Sequence, residues 1–269
     1  EKQDWPKLSA TFERELAIAL GDSGRADVLA KTAHLAADHL GDKSRAVALW
    51  KQVLDLRGED PEALNALGDL YCALADWTSL VDVLDREASI ATEDEARMDV
   101  LSDLARVWYV ELKNDQNAVD NWQRVLDTDP TRTEALFALV EIHRAAGRTQ
   151  ELVDSLHRVI EVGTATLDAP VIETCYMQLG ELYEKSLQQP RDAIDAYDKA
   201  LDLNAQNFAS MAALERLHSA EASWTDTIQV MERRADALET PTEKIDVLLA
   251  IARMWAEQQE EPDRGTSAH

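Results

Sequence analysis

The chain has 269 residues, 45% of them apolar, and carries 27 Lys and Arg against 52 Asp and Glu, a formal net charge of −25. An acidic balance this strong repels phosphate, so neither nucleic acid nor an anionic membrane surface is expected as a partner. The longest apolar run, Ala135 to Val140, falls far short of the ~20 residues that span a bilayer, and two cysteines with nine glycines leave no disulfide framework or Gly-rich phosphate cradle.

In chain order, Trp5 to Leu16 reads as the first helix, Asp27-Val28-Leu29 lies on the second, and Ala46-Val47 with Trp50 on the third. Leu64, Leu67, Gly68 and Tyr71 form one helical stripe and Leu80, Leu84 and Ala88 another, with Ala75-Asp76-Trp77 as the turn between them. Spacing at i, i+3, i+4 and i+7 is the period of a helix with one buried face. Glu93-Asp94-Glu95 opens a further helix, where acids suit the positive end of the dipole. The pattern then repeats as Leu101, Leu104, Ala105 and Trp108 with Ala118, Trp122 and Val125. It returns in Tyr176, Leu179, Gly180 and Tyr183 with Ala193, Tyr197 and Ala200, and ends on Asp246 to Trp255. Pro61 and Pro130 mark junctions, because proline fits a first helical turn and turns the preceding residue away from helix.

Sliding the chain by 72 residues places Trp5 on Trp77, Asp27-Val28-Leu29 on Asp99-Val100-Leu101 and Trp50 on Trp122, and further steps carry Arg86 to Arg158 and Arg233. Each unit divides into two helical hairpins. A lone hairpin cannot bury both faces, so neighbours stack and share a core. The fold class expected is all-α, a solenoid of stacked hairpins with about 14 helices, because no stretch alternates with the period of a strand. One solenoid over residues 1–262 is expected to begin and end within a hairpin, with 263–269 as a tail, either disordered or a remnant of expression. Trp5, Phe12, Leu248 and Trp255 are then the residues through which repeat ends could associate.

These residues resemble the tetratricopeptide repeat family, most clearly in Leu64 to Leu84, Leu101 to Pro130 and Tyr176 to Ala200. Val140 and Glu215 depart from the family's small-residue position, His143 and His218 from its aromatic position, and alternate hairpins carry one extra turn residue, as at Lys113 to Asn117 and Gln188 to Arg191. The resemblance implies a right-handed solenoid cut from a longer array, whose first helices line a concave groove for a protein or peptide partner. Its groove offsets fall on Arg106, Tyr109, Phe137, Arg144, Met177, Arg216 and Arg253, with His34, Asn65, Asp69 and Cys72 on the N-terminal side. Aromatic and Arg residues are common interface anchors. Equally, the arginines could pair with Asp69, Glu141 and Glu181 across neighbouring helices. The clamp by which some relatives hold acidic chaperone tails is absent, since Asn65, Asp69 and Asp103 occupy its positions.

The row Arg14, Arg86, Arg124, Arg158, Lys199 and Arg233 on second helices reads as helix support, because Asp82, Asp120, Asp154 and Asp195 precede four of its members by four residues. His34 with Asp38 offers at most two metal ligands, short of the three or four a zinc site needs. No nucleophile motif is present, so neither an enzyme nor a cofactor is expected. Cys72 and Cys175 fall on different units and should stay free, which points to the cytoplasm. The expected function is a non-catalytic interaction scaffold. A self-assembling spacer and a regulatory arm of a larger enzyme are the alternatives.

Overall fold

The computed structural model describes residues 4–265, and every regular element among them is helical. Second-position helices are α1 (Trp5–Ile18), α3 (Lys43–Arg57), α5 (Trp77–Ile90), α7 (Asp115–Thr128), α9 (Thr149–Thr166), α11 (Pro190–Leu203) and α13 (Trp224–Ala237). First-position helices, here A helices, are α2 (Gly21–Asp38), α4 (Pro61–Leu74), α6 (Asp94–Val110), α8 (Thr133–Ala145), α10 (Ala169–Glu181), α12 (Phe208–Ala220) and α14 (Pro241–Gly265). The fold is the expected all-α stack of helical hairpins with 14 α-helices. It divides into two compact units, 1–138 and 139–269. The last four residues of the expected tail, 266–269, lie outside the described residues.

The six hairpin turns share one device. The residue two before each second helix is left-handed: Gly41, Ala75, Lys113, Gly147, Gln188 and Ala222, with φ between 51 and 67°. The next residue donates its N–H back to the carbonyl of the family's aromatic position. In the tight turns Asp76 reaches Tyr71 (3.0 Å), Arg148 reaches His143 (3.0 Å) and Ser223 reaches His218 (2.9 Å), each spanning five residues. In the longer turns Asp42 reaches Ala36 (2.9 Å), Asn114 reaches Trp108 (2.9 Å) and Gln189 reaches Tyr183 (2.8 Å), each spanning six. The extra residue read from Lys113 to Asn117 and Gln188 to Arg191 is therefore absorbed in the last turn of the first helix. In α10 it winds Leu182–Leu187 into a π-helical turn. Side-chain caps then start the second helices in unit 1, where Asp42, Asp76 and Asn114 accept from the N–H of Arg45, Ser79 and Asn117.

Packing follows the periodic stripes. Ala33, Ala46, Trp50, Val53, Leu64, Leu67, Tyr71 and Leu80 make one buried cluster in unit 1. Ala193, Tyr197, Met211, Leu214 and Val230 make another in unit 2. Gly180 is a true close crossing: a Cβ there would lie 2.6 Å from Cε1 of Tyr197, whereas one on Gly68 would stand 3.8 Å from Leu80. Glu215, the charged residue in a small-residue position, is explained by Arg234 of α13, whose Nη1 lies 2.9 Å from its Oε2.

Repeat-to-repeat ion pairs run along the stack. Arg57 at the end of α3 bonds Asp27, and Arg132 just before α8 bonds Asp99 (3.0 Å) and Glu95 (2.7 Å), so the Asp of the repeated Asp-Val-Leu is held by an arginine near the junction that leads to the next A helix. In the corresponding place in unit 2, Asn204 and Asn207 donate to Glu173 (2.8 and 2.6 Å). The row of basic residues on second helices behaves differently from the spacing argument. Lys199 does pair with Asp195 within its helix (3.0 Å). Arg86, Arg124 and Arg233 reach back instead to Glu59 (3.0 Å), Asp85 (2.8 Å) and Asp198 (3.9 Å), because the neighbouring repeat offers a carboxylate.

Candidate partner-binding face

Three of the groove arginines are already engaged. Arg106 of α6 bonds Asp103 one turn back and Glu134 of α8, with its guanidinium carbon 5.9 Å from the Trp122 ring centre. Arg144 bonds Glu141 one turn back and Gln178 of α10 (2.7 Å). Arg216 of α12 bonds Glu184. Arg253 is exposed and makes no ion pair to a described residue. Among the large side chains, Tyr109 and Phe137 are half-buried, and Met177 accepts the Asn207 amide on its sulfur at 2.9 Å. Arg106, Tyr109 and Phe137 belong to unit 1, while Arg144, Met177, Arg216 and Arg253 belong to unit 2.

What the structure gathers in one place is the N-terminal end of the groove positions. His34, Ala37 and Asp38 of α2, Lys43 and Trp50 of α3, and Glu62, Asn65, Ala66, Asp69 and Ala73 of α4 surround a cavity of about 710 Å³. His34 Nε2 lies 3.4 Å from Glu62 Oε1 and its ring stands edge-on to Trp50, centroids 5.0 Å apart. Lys43 donates to the Ala73 carbonyl at 3.4 Å. Asp38 and Asp69 make no ion pair with a described residue. The acidic field extends to α5, where burial first, then Asp69 and Asp103, push the Glu87 carboxyl above its usual range.

Large side chains such as Arg106 and Phe137 stand out in the sequence, yet a hole is made by small ones. Ala37, Ala66 and Ala73 leave the space, and the alanines clustered in α2 and α4 were the available signal. His34 and Asp38 do share this site, as walls of a cavity. Among the described residues no three His, Cys, Asp or Glu side chains converge as metal ligands, and no helix is long and apolar enough to cross a membrane. Both cysteines are free, Cys72 exposed and Cys175 buried.

Stacked hairpins closed by one kind of left-handed turn in two lengths, with an open cavity lined by α2, α3 and α4, define a helical-repeat protein. Tetratricopeptide repeat profiles match residues 63–98, 135–170 and 174–207, which are the hairpins just described. The chain carries tetratricopeptide repeats. It is 27% identical over 187 residues to lipopolysaccharide assembly protein B of Escherichia coli strain K12, a match covering 65% of this chain and 43% of that protein. The same figures hold for the protein of Escherichia coli O157:H7, so the matched region spans less than half the length of these curated relatives. Among solved structures, Naa15/Naa10 bound to HypK-THB shares the fold over 97% of this chain and 40% of its own, with a TM-score of 0.57 and 13% identity. YrrB, described as a tetratricopeptide repeat protein with an unusual peptide-binding site, aligns over 78% of this chain and 97% of its own, with a TM-score of 0.40 and 19% identity.

Proposed function

We propose that the chain is a non-catalytic scaffold that holds a segment of a partner protein against its A helices. The observation that carries this reading is the cavity between α2 and α4. It is open, with the side chains of His34, Glu62, Asn65 and Asp69 exposed in its wall, while Trp50, Ala37 and Ala66 behind them belong to the buried core or pack against it. Ridges of second helices offer less, since Arg86 and Arg124 are occupied by neighbouring repeats. Affinity capture from the source cells tests the proposal. Asn65→Trp, an exposed position in the cavity wall, should remove a partner that the parent chain retains, and Gln52→Trp on α3 should leave it bound. Tyr109→Ala with Phe137→Ala extends the test along the groove, with helical content as the control. Equal capture by all variants would end the proposal.

One observation favours self-association as a second reading. In α14 the positions Ile245, Leu248, Leu249 and Trp255 are 45–55% exposed, whereas Met98, Leu101 and Ser102 at the first three of these positions in α6 are buried. At the other end, Trp5 stacks on His39 with centroids 3.8 Å apart, and Leu8 is exposed. Sedimentation at rising concentration distinguishes the readings: Trp255→Glu should abolish association through this face.

A further inference from the structure

The cavity between α2 and α4 has an internal counterpart that shows what fits in it. Seventy-two residues on, His34 becomes Arg106, Trp50 becomes Trp122 and Glu62 becomes Glu134. In the later copy, a guanidinium reaches from α6 to the carboxylate of α8 while lying over the indole of α7. In the earlier copy, the shorter imidazole of His34 lies against Trp50 and touches Glu62 only at 3.4 Å. The position of a guanidinium is thus left open in the first repeat, beside the same acid.

We propose that this cavity is a receptor for one basic side chain, an arginine, presented by the partner segment. Glu62 receives the guanidinium as Glu134 receives Arg106, with Asp38 and Asp69 in the walls adding negative charge. Three carboxylates face Lys43, the His34 imidazole and Arg57, whose Nη1 lies 3.9 Å from Glu62 just as Arg132 Nε lies 4.0 Å from Glu134 beside Arg106, and the net charge of −25 draws cations to the surface. Arginine is favoured over lysine, because the planar fork matches a carboxylate and covers an aromatic surface, as Arg106 does over Trp122. The alanines beneath leave room for the methylene stem. This assignment rests on the A-helix face being the docking face and adds the chemistry of what docks.

The probes are Nα-acetyl-L-arginine amide and its neutral near-isostere Nα-acetyl-L-citrulline amide, titrated at low salt while the backbone amides of Ala37, Asn65, Ala66 and Asp69 are followed by NMR. Arginine amide should give saturable shifts at these residues, and citrulline amide none. Glu62→Gln should weaken binding about fivefold, the range of a partly exposed ion pair. His34→Arg, an exposed position, should abolish binding by filling the space from within. Arg106→His should create a second responsive site at α6 and α8. Absence of saturable shifts, equal response to citrulline, or binding that survives His34→Arg would overturn the assignment. Should arginine fail while Asn65→Trp still blocks capture, only the charge class falls. Should Asn65→Trp leave capture intact, the docking face itself is wrong.

Discussion

Gly68 and Gly180 occupy the same position in two hairpins, yet they should respond to alanine with opposite sign. Removing a glycine from a helix interior gains about 0.8–1 kcal/mol in propensity wherever the new methyl has room. At Gly68 it has room, because its nearest neighbour would be Leu80 Cδ1 at 3.8 Å, an ordinary contact. At Gly180 the same methyl would sit 2.6, 2.7 and 2.8 Å from Cε1, Cζ and Cδ1 of Tyr197. That ring has no easy retreat. It is 3% exposed, its hydroxyl donates to Glu184 at 3.4 Å, and burial, with Glu181 nearby, pushes the phenol up to about 12. Overpacking of this kind costs about 1–3 kcal/mol, which exceeds the propensity gain for most of that range. Gly68→Ala should therefore stabilise its hairpin by up to about 1 kcal/mol, and Gly180→Ala should destabilise its own by up to about 2 kcal/mol after the propensity gain is subtracted. Hydrogen exchange resolved by helix is the assay, since neighbouring repeats need not unfold together. Protection should rise in α4 and α5 for the first variant and fall in α10 and α11 for the second. A rise in both would refute the steric argument, and relief of the second defect by Tyr197→Leu would support it.

Ala75 and Ala222 hold left-handed turns at φ of 54 and 55°, a conformation that costs a residue with a Cβ about 1–2 kcal/mol. Glycine at either position should stabilise by about 0.5–1 kcal/mol in urea unfolding, after its greater freedom in the unfolded chain is counted. His143 is buried, with Nδ1 unpartnered; burial and then Arg148 lower its pKa, against Glu151 and Asp154. Its neutral form therefore contributes stability above the unfolded value near 6.5 that is lost as pH falls below it, and His143→Phe should flatten that loss between about pH 7 and 5. Raised carboxyl values at Glu215 and Asp198 act in the opposite sense, losing stability as pH rises through them, so the difference between parent and variant is the quantity to compare. Arg234→Met should cost about 2–3 kcal/mol, less than a fully buried pair, by stranding Glu215, and adding Glu215→Ala should recover most of it. Failure of that double variant to recover would show that the pair is held for more than its own neutralisation.

Much of the architecture was readable because burial of apolar stripes is periodic, and the period survives in Leu64, Leu67 and Tyr71 or in Leu101, Leu104 and Trp108 without any knowledge of neighbours. Turn length was readable too, since an inserted residue shifts the register between Trp108 and Ala118. Ion-pair partners were not. The spacing of Asp82 and Arg86 favours a bond within α5, but Glu59 in the preceding junction takes the guanidinium, a choice made by packing between repeats. The same holds for the groove. Pairing of its arginines with acids such as Glu141 was readable, and Arg144 does bond Glu141, but Glu134 as the partner of Arg106 and Gln178 as the second partner of Arg144 were not. The cavity was hidden for a simpler reason: it is made of what His34, Ala37, Ala66 and Ala73 lack, and its meaning emerges only when His34 is laid over Arg106.

Site-selective photo-crosslinking tests the account most directly. Cys72 on α4 is exposed and Cys175 is buried, where the surroundings push its thiol pKa up, so a maleimide benzophenone labels the A-helix face alone under mild conditions. A second protein, Cys72→Ala with Gln52→Cys, carries the same label on α3. If partners dock on the A helices, irradiation in source-cell extract should crosslink a partner to the Cys72 label and not to the label at position 52, and Asn65→Trp should erase the product. Crosslinks of equal yield from both positions, or from position 52 alone, would contradict it.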